Sequence, residues 1–175
     1  MMKKIIALVL CIGMFVAAGC AGAGAPVTPY PTDAKTEVKA YKDDFEELCK
    51  YLSANGWINY QKENKDKSYS EMNYKAIGAS NGFRFNCTKQ NANAVVIELY
   101  DFSKPASPDE VYNSVKKNGK FSIFELDEVN AYLSDNGKYM AIYTDTSIDW
   151  SKPDKNSESY KRFEEFMKLF KGFHK

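Results

Sequence analysis

The sequence predicts an α+β domain in which an antiparallel sheet of about five strands carries packed helices. Three observations lead to this class. Segments with an apolar residue every three or four positions begin and end the folded part, and segments that alternate apolar and polar residues lie between them. Glycine-containing turns join the segments. The predicted order is helix, helix, two strands, helix, three strands, helix.

The first predicted helix covers residues 36–54. Its apolar stripe consists of Val38, Tyr41, Phe45, Leu48 and Leu52. Asn55-Gly56 is expected to end it, because glycine just past the last turn accepts the left-handed conformation that closes a helix. Trp57 directly after this cap is expected to point into the core.

Residues 59–67 are polar and predict a surface loop. Ser68-Tyr69-Ser70-Glu71 then has the form of a capping box, in which a serine hydroxyl and a glutamate satisfy free backbone amides. It predicts a short helix through Ile77, although residues 69–78 also suit a strand.

Two strands are predicted next. Residues 83–88 alternate Phe83, Phe85 and Cys87 with polar side chains, which is the pattern of a half-buried strand. Asn81-Gly82 is expected to turn the chain into this strand. Residues 94–102 are rich in β-branched and aromatic residues, so the two segments predict an antiparallel hairpin around a polar turn.

The third helix has the clearest start in the chain. Ser107 is a capping residue, Pro108 suits the first helical position, and Asp109 and Glu110 stabilise the positive end of the helix dipole. Gly119 is expected to end it. Its buried face is expected to contain Val111, Tyr112 and Val115.

The last part of the chain predicts three short strands, residues 120–126, 129–134 and 138–144. Asp135-Asn136-Gly137 is a strong hairpin signal between the last two strands. Ser157 then opens a final helix. Its apolar face is expected to contain Tyr160, Phe163, Phe166, Met167 and Phe170.

The N-terminus has the composition of a secretory signal peptide. Lys3 and Lys4 precede an uninterrupted apolar run, which is too short to span a bilayer by itself. The small residues Ala17-Ala18-Gly19 then precede Cys20. This order resembles the bacterial lipobox, although Ala17 stands where leucine is usual. The resemblance implies that Cys20 receives a diacylglyceryl group and becomes the first mature residue.

These signals predict three segments: a lipoprotein signal peptide over residues 1–19, a lipidated cysteine with a flexible tether over residues 20–35, and a single α+β domain over residues 36–175. The tether is rich in small residues and proline, which disfavour both a core and a helix. The expected location is the outer face of the cytoplasmic membrane.

Two alternatives remain at the N-terminus. A cut near Ala23 or Ala25 would release a soluble protein instead of an anchored one. Cys11 is a weaker lipidation candidate than Cys20, because the bulky Leu10 precedes it.

Charge argues against a nucleic-acid partner. The chain carries 24 Lys and Arg against 23 Asp and Glu, and the two signs are interleaved almost everywhere. Nucleic-acid binding depends on a concentrated basic surface that displaces counterions. The expected partners are the membrane, through the lipid on Cys20, and a protein or glycan of the cell envelope.

Cys49 and Cys87 are the cysteines of the predicted domain. An exported protein can keep a disulfide, so a bridge between them is one alternative. Two free thiols are the other, because each cysteine falls on an apolar face and a buried cysteine behaves as a small hydrophobe.

Neither an enzyme nor a cofactor is predicted. His174, the one histidine, is next to last in the chain, where ends usually fray, so it suits neither a catalytic triad nor a zinc site. CxxC, HExxH and phosphate-binding glycine loops are missing from the sequence.

Acidic residues raise two weaker alternatives. Carboxylates near strand ends would suit a hydrolase that uses paired acids; they are Glu98, Asp101, Glu125, Asp127 and Glu128. Clustered oxygens would suit calcium; they belong to Asp145, Thr146, Ser147 and Asp149. Acidic side chains exposed to solvent are common in such turns, so we prefer to interpret both groups as solvated surface acids.

Aromatic side chains beside loops are candidate ligand contacts. Five such rings flank loops, namely Trp57, Tyr60, Tyr69, Tyr74 and Trp150, and a platform of them could stack on sugars or anchor a protein partner. Trp150, Tyr60 and Tyr74 are the preferred candidates, because Trp and Tyr provide large contact area at low entropic cost. Trp150 is expected to be the exposed ring. An unpaired strand edge is a further route to a partner, since it can accept an extended peptide.

The segments IGASNGFRFNCTK, VVIELYDF, SPDEVYNSVKKNG, DNGKYMAIYTD and YKRFEEFMKLFKGF resemble small lipid-anchored surface proteins of Gram-positive gut and clostridial bacteria. The resemblance covers residues 77–173 and follows strands and turns, not reactive groups. It implies fold and location and carries over no functional residue.

These patterns together predict a lipid-anchored envelope protein that acts as a non-catalytic binding or accessory module. A small-ligand or glycan-binding lipoprotein associated with a transporter is the first alternative, although two-lobed solute receptors need a longer chain. A carboxylate-based envelope hydrolase is the second.

Overall fold

The computed structural model describes residues 37–64, 68–89, 92, 94–104, 110–122 and 128–175. The fold is α+β, as predicted. Several predictions fall outside the described residues: the signal peptide, Cys20, the tether, the capping Ser107, Glu125 and Asp127.

Three α-helices lie within the described chain: α1 (Phe45–Ala54), α2 (Glu110–Asn118) and α3 (Glu158–Lys171). The strands there are β1 (Ser70–Glu71), β2 (Asn81–Asn86), β3 (Val95–Asp101), β4 (Lys120–Phe121), β5 (Val129–Asn130), β6 (Tyr132–Leu133) and β7 (Tyr139–Asp145). Short 3-10 turns occupy Val38–Ala40, Lys62–Asn64 and Tyr74–Ile77.

The main sheet has five antiparallel strands in the order β1-β2-β3-β7-β6. Its centre consists of the three longest strands, with β3 between β2 and β7. The edge strands β1 and β6 have two residues each in the described chain, so each covers only part of its neighbour. Strands β4 and β5 form a separate two-stranded sheet.

The first face of the main sheet packs against α1 and α3. Phe83 of β2 and Tyr139 of β7 point toward these helices, since side chains alternate between the two faces along a strand. Phe166 and Phe170 of α3 stack with ring centroids 5.9 Å apart. Trp57 is fully buried in this cluster, as predicted.

The second face is covered in part by α2 and the β4-β5 sheet. Tyr100 and Met140 pack there with Val115 of α2 and Phe121 of β4. Gly82 of β2 leaves room for this packing, because a Cβ at that position would lie 2.7 Å from Cδ1 of the Tyr100 ring.

The predicted first helix starts too early. Val38–Ala40 forms one 3-10 turn, Tyr41 is extended, and α1 begins only at Phe45. Asp44 caps the helix by accepting a hydrogen bond from the N–H of Glu47 at 2.9 Å. An Asp-x-x-Glu pattern marks a helix start, and the apolar spacing upstream of it concealed this signal.

The stretch 69–78 is neither the predicted helix nor a long strand. Strand β1 pairs with β2, and the 3-10 turn Tyr74–Ile77 follows, closed by Gly78 at φ 78°. Pairing with β2 therefore outweighs the local capping pattern. Gly78 also makes the turn that was predicted at Asn81-Gly82, and the latter residues lie inside β2.

The predicted strand 129–134 is divided between two sheets. The N–H of Ala131 donates to the carbonyl of Gly119, and the chain leaves β5 for β6 at that point. The β2-β3 hairpin is confirmed, and so is the hairpin at Asp135-Asn136-Gly137. Ser157 caps α3 as predicted.

The C-terminal end is fixed, contrary to the expectation that His174 frays. Nε2 of His174 lies 2.9 Å from the carbonyl oxygen of Tyr41. The amide nitrogen of Asn136 donates to the carbonyls of Phe173 and His174 at 3.2 and 3.4 Å. Phe173 is fully buried. The last residues thus close onto the beginning of the described domain.

Candidate binding site

A cleft of about 290 Å³ opens beside strand β1, between the first turn of α1, the chain that follows α1, and strand β2. Aromatic rings line it together with charged and amide groups. Among the residues that the structure describes, the lining consists of Phe45, Glu46, Tyr60, Lys62, Tyr69, Glu71, Asn81 and Phe83. An apolar floor with a few polar groups is typical of ligand sites, and we call this site the aromatic cleft.

Four rings form the floor of the aromatic cleft. The Tyr69 ring centroid lies 4.5 Å from that of Phe83, and the Tyr60 centroid lies 5.3 Å from Tyr69. Phe45 extends the cluster at 5.3 Å from Phe83. Each ring is between 5% and 8% exposed, so the neighbouring rings hold one another in place and each presents a small surface to the cleft.

Backbone pairing places these rings. Phe83 faces α1 because it falls on the apolar period of β2. Glu71 pairs with Phe83 across the β1-β2 ladder, which brings the nearby Tyr69 to the same end of the sheet. The N–H of Tyr60 donates to the buried Oγ of Ser53 at 2.8 Å, and this bond fixes the chain after α1 against the helix.

The charges on one side of the rim compensate one another. Nζ of Lys62 lies 2.8 Å from Oε2 of Glu46, and Nζ of Lys50 lies 3.2 Å from Oε1. The hydrogen bond from Lys62 lowers the pKa of Glu46, although burial acts in the opposite direction. Glu46 is therefore ionised near neutral pH and pairs with Lys62, whereas Lys50 is shared between Glu46 and Glu47, which lies 2.8 Å from its Nζ.

Asn81, Glu71 and Tyr60 supply further polar groups. Oδ1 of Asn81 accepts a hydrogen bond from the N–H of Gly82 at 2.9 Å, and Glu71 is exposed. Burial, helped by the charge of Glu46, raises the pKa of Tyr60, so its phenol keeps its proton. The cleft thus offers ring surface with hydrogen-bond donors and acceptors, which are means of binding.

The three predicted contact aromatics do not lie together. The structure places Tyr60 in the aromatic cleft. Trp150 is half-buried, with its ring at 84° to Phe163 of α3 and the centroids 5.1 Å apart, so it is more enclosed than predicted. Tyr74 packs with the cluster on the second face of the sheet, beside Gly82.

The candidate disulfide is not formed. Cys49 lies on the buried face of α1, Cys87 is half-buried after β2, and both thiols are free. Burial raises the pKa of Cys49 well above its usual range and raises that of Cys87 as well. Both cysteines fit the alternative prediction of small apolar side chains.

The described acids do not form the paired site of a hydrolase. Glu98 lies 3.4 Å from Nη1 of Arg84 and accepts a hydrogen bond from the hydroxyl of Tyr100 at 2.8 Å. Asp101 instead accepts from the N–H of Ser103 at 2.8 Å. It lies three positions after Glu98, and side chains an odd number of positions apart face opposite sides of a strand, so the two acids lie on opposite faces of β3. Glu128 pairs with Lys120.

The Asp-rich turn does not hold its acids as calcium ligands. Asp145 is buried, with Oδ2 at 2.8 Å from Nη2 of Arg162, and its Oδ1 accepts from the N–H of Ser147. Asp149 accepts hydrogen bonds from Ser151. In the part of the chain that the structure describes, no group of three or more His, Cys, Asp and Glu is arranged to hold a metal ion.

Gly78-Ala79-Ser80-Asn81-Gly82 fits the GxSxG pattern of serine hydrolases, and its surroundings differ from theirs. The pattern requires a strand before the serine and a helix after it, whereas Ser80 follows a 3-10 turn and precedes β2. Its Oγ donates to the carbonyl of Asp101 at 3.1 Å. The single histidine of the chain contacts Tyr41 instead.

Comparisons with known proteins add no relative. No family model matches the chain, and no curated protein and no solved structure matches it. Across the residues described, no helix combines the length and apolar character that crossing a membrane requires. The resemblance to small lipid-anchored surface proteins stays a prediction.

Proposed function

We propose that this protein is anchored to the cell envelope through a lipid on Cys20 and acts there as a non-catalytic binding or accessory module. The aromatic cleft is its contact site. The observation that carries this proposal is the composition of the cleft, a floor of packed rings beside a rim in which Lys62 pairs with Glu46. Such a surface binds by ring contact and hydrogen bonding.

The N-terminal sequence supports the anchor. The two lysines, the apolar run and the small residues before Cys20 are typical of a lipoprotein signal. Two acyl chains would hold the protein durably, because each buried methylene contributes about 0.8 kcal/mol and one chain alone is marginal.

Binding fits the aromatic cleft better than hydrolysis does. Two carboxylates, Glu46 and Glu71, line the cleft, and a glycosidase of this kind needs one of its two acids protonated near neutral pH. The ion pair with Lys62 lowers the pKa of Glu46, which disfavours the acid role. The concave shape favours, as a second candidate, a small-ligand or glycan-binding lipoprotein associated with a transporter.

The anchor is tested by replacing Cys20 with Ser in the full chain expressed in a Gram-positive host. We expect the native protein to enter the detergent phase on partitioning and the Cys20→Ser variant to leave it, with Cys11→Ser as the matched control that stays anchored. Mass spectrometry of the native N-terminus should show a modified Cys20. An unmodified N-terminus beyond Cys20 would refute the anchor.

The contact site is tested with lipid-extracted cell walls of the same host. The detergent-purified lipoprotein should bind them saturably, and Glu71→Arg at the rim should weaken binding about tenfold because it adds a large cation to the cleft mouth. Glu165→Arg is the matched control, since Glu165 is an exposed acid of α3 that pairs with Lys89. Equal binding by both variants would exclude the cleft.

A further inference from the structure

We infer that the aromatic cleft binds the end of an uncharged saccharide. This inference rests on the proposed function and deepens it, because it names the chemical class of the ligand at the same site. The cleft, at about 290 Å³, is close to the lower limit of the roughly 300–1,000 Å³ that small-molecule sites occupy. It therefore suits a short ligand end more than a folded partner.

The charges of the rim select an uncharged ligand. A cation entering the cleft would meet the ammonium of Lys62, which lies 2.8 Å from Glu46 and already satisfies that carboxylate. An anion would meet both Glu46 and Glu71. Among the described lining residues, an ion of either sign therefore meets a like charge and loses hydration on entry, and this disfavours a charged ligand.

The polar groups of the rim suit hydroxyls. A hydroxyl both donates and accepts, so it can donate to the carboxylates of Glu46 and Glu71 and accept from the ammonium of Lys62. Asn81 adds an amide, whose carbonyl is held by the N–H of Gly82 at 2.9 Å and whose NH₂ group is a donor. A ligand with several hydroxyls on one rim matches this mixture.

The aromatic floor of the cleft suits the apolar face of a sugar. A pyranose has a face of C–H groups, and Tyr60, Tyr69 and Phe83, which are 5–8% exposed, line the cleft with small areas of apolar surface beside the polar rim. Tyrosine is suited to such a place because its ring is apolar and its hydroxyl polar. Saccharides combine an apolar face with a hydroxylated edge, and the cleft has the complementary arrangement.

The test is a titration of the detergent-purified lipoprotein by calorimetry and tyrosine fluorescence. The neutral probes are N,N′-diacetylchitobiose, cellobiose and maltose, and the charged probes are tetramethylammonium chloride and sodium acetate. We expect at least one neutral disaccharide to bind and to compete with the cell walls for the protein. The charged probes should not bind measurably.

Variants connect the binding to the cleft. Tyr69→Leu should weaken saccharide binding about tenfold by removing ring surface, whereas Tyr74→Leu on the other face of the sheet should leave it unchanged. Lys62→Glu should weaken saccharide binding and create binding of tetramethylammonium. Lys62 is exposed, with 65% of its side chain accessible, so this second variant tests the cleft without disturbing the core.

The outcomes separate the two proposals. Three results would overturn the saccharide inference. None of the three disaccharides binds, the native protein prefers a charged probe, or the Tyr69→Leu and Tyr74→Leu variants bind saccharide equally. Cell-wall binding that still depends on Glu71 would leave the proposed function standing in each case. Loss of that dependence would instead remove the proposed function.

Discussion

Gly82 shows how one residue decides the packing of a whole sheet face. It sits in β2 with an ordinary extended backbone, so its role is space and not conformational freedom. An added Cβ would lie 2.7 Å from Cδ1 of Tyr100 and 2.9 Å from Cβ of Tyr74, which are distances that real Cβ atoms do not tolerate.

We expect Gly82→Ala to lower the free energy of unfolding by about 1–3 kcal/mol, because overpacking displaces neighbouring side chains. Tyr100 resists displacement, since it is 5% exposed and its hydroxyl donates to Glu98. Urea unfolding followed by fluorescence measures the change. The same substitution in a Tyr100→Leu background should cost less, and an equal cost would show that the ring is not the obstacle.

The start of α1 shows how an element is decided by one local signal. Asp44 accepts from the N–H of Glu47, and two acidic residues follow in the first turn, where they stabilise the positive end of the helix. We expect Asp44→Ala to cost about 0.5–2 kcal/mol in unfolding free energy. Lys42→Gly, by contrast, should change it by less than about 0.5 kcal/mol, because Lys42 precedes the helix.

If the helix covered residues 36–54, the Lys42→Gly variant would lose more stability than the Asp44→Ala variant. Lys42 would then lie in the helix interior, where glycine costs about 1 kcal/mol. Urea denaturation of the two variants therefore distinguishes the helix starts directly. A larger loss for Lys42→Gly than for Asp44→Ala would contradict a start at Phe45.

Elements set by local pattern could be predicted from the sequence, and elements set by distant pairing could not. The alternation in β2, the Asp135-Asn136-Gly137 hairpin and the Ser157 cap all act over a few residues. Strand β1 has two residues and exists because it pairs with β2, so nothing local reveals it. The same reason explains the error over residues 69–78.

The aromatic cleft was missed for a related reason. Tyr60 is a predicted contact and Tyr69 a predicted ring beside a loop, but the sequence pattern also places Tyr69 in a short helix and Phe83 on a core strand, and it does not show that the three rings meet. Glu46 and Lys62 are separated by 16 residues and meet only when α1 and the following chain fold. A sequence can show that such residues exist, and the tertiary structure is needed to show that they converge.

At the scale of the whole molecule, the C-terminus closes the domain onto its own beginning. The Phe173 ring lies 5.4 Å from Tyr51 of α1 and 5.9 Å from Tyr139 of β7. We expect Phe173→Ala to lower the free energy of unfolding by about 3–5 kcal/mol, the cost of emptying a core position. Lys175→Ala is the matched control, and its exposed pair with Asp135 should contribute at most about 1 kcal/mol. Similar losses would mean that the end is loosely held.

Asp43 makes this closure depend on pH. Its carboxylate accepts from the hydroxyl of Tyr139 at 3.1 Å and the amide of Asn136 at 3.3 Å, and it pairs with Lys138. Burial would raise the pKa of Asp43, but the hydrogen bonds from Lys138 and Tyr139 prevail and lower it below its ordinary value of 3.8.

A folded pKa below the unfolded one means that the ionised carboxylate stabilises the fold. This contribution is complete at pH values above the ordinary pKa of 3.8 and is lost as pH falls through the lower folded value. We therefore expect Asp43→Asn to lower the unfolding free energy by on the order of 1 kcal/mol at neutral pH, with the difference from the native protein shrinking in acid. Urea midpoints of both proteins from pH 7 to about pH 2.5 measure it. A difference in unfolding free energy that stays constant over that range would show that Asp43→Asn destabilises the fold for a reason other than the lost charge.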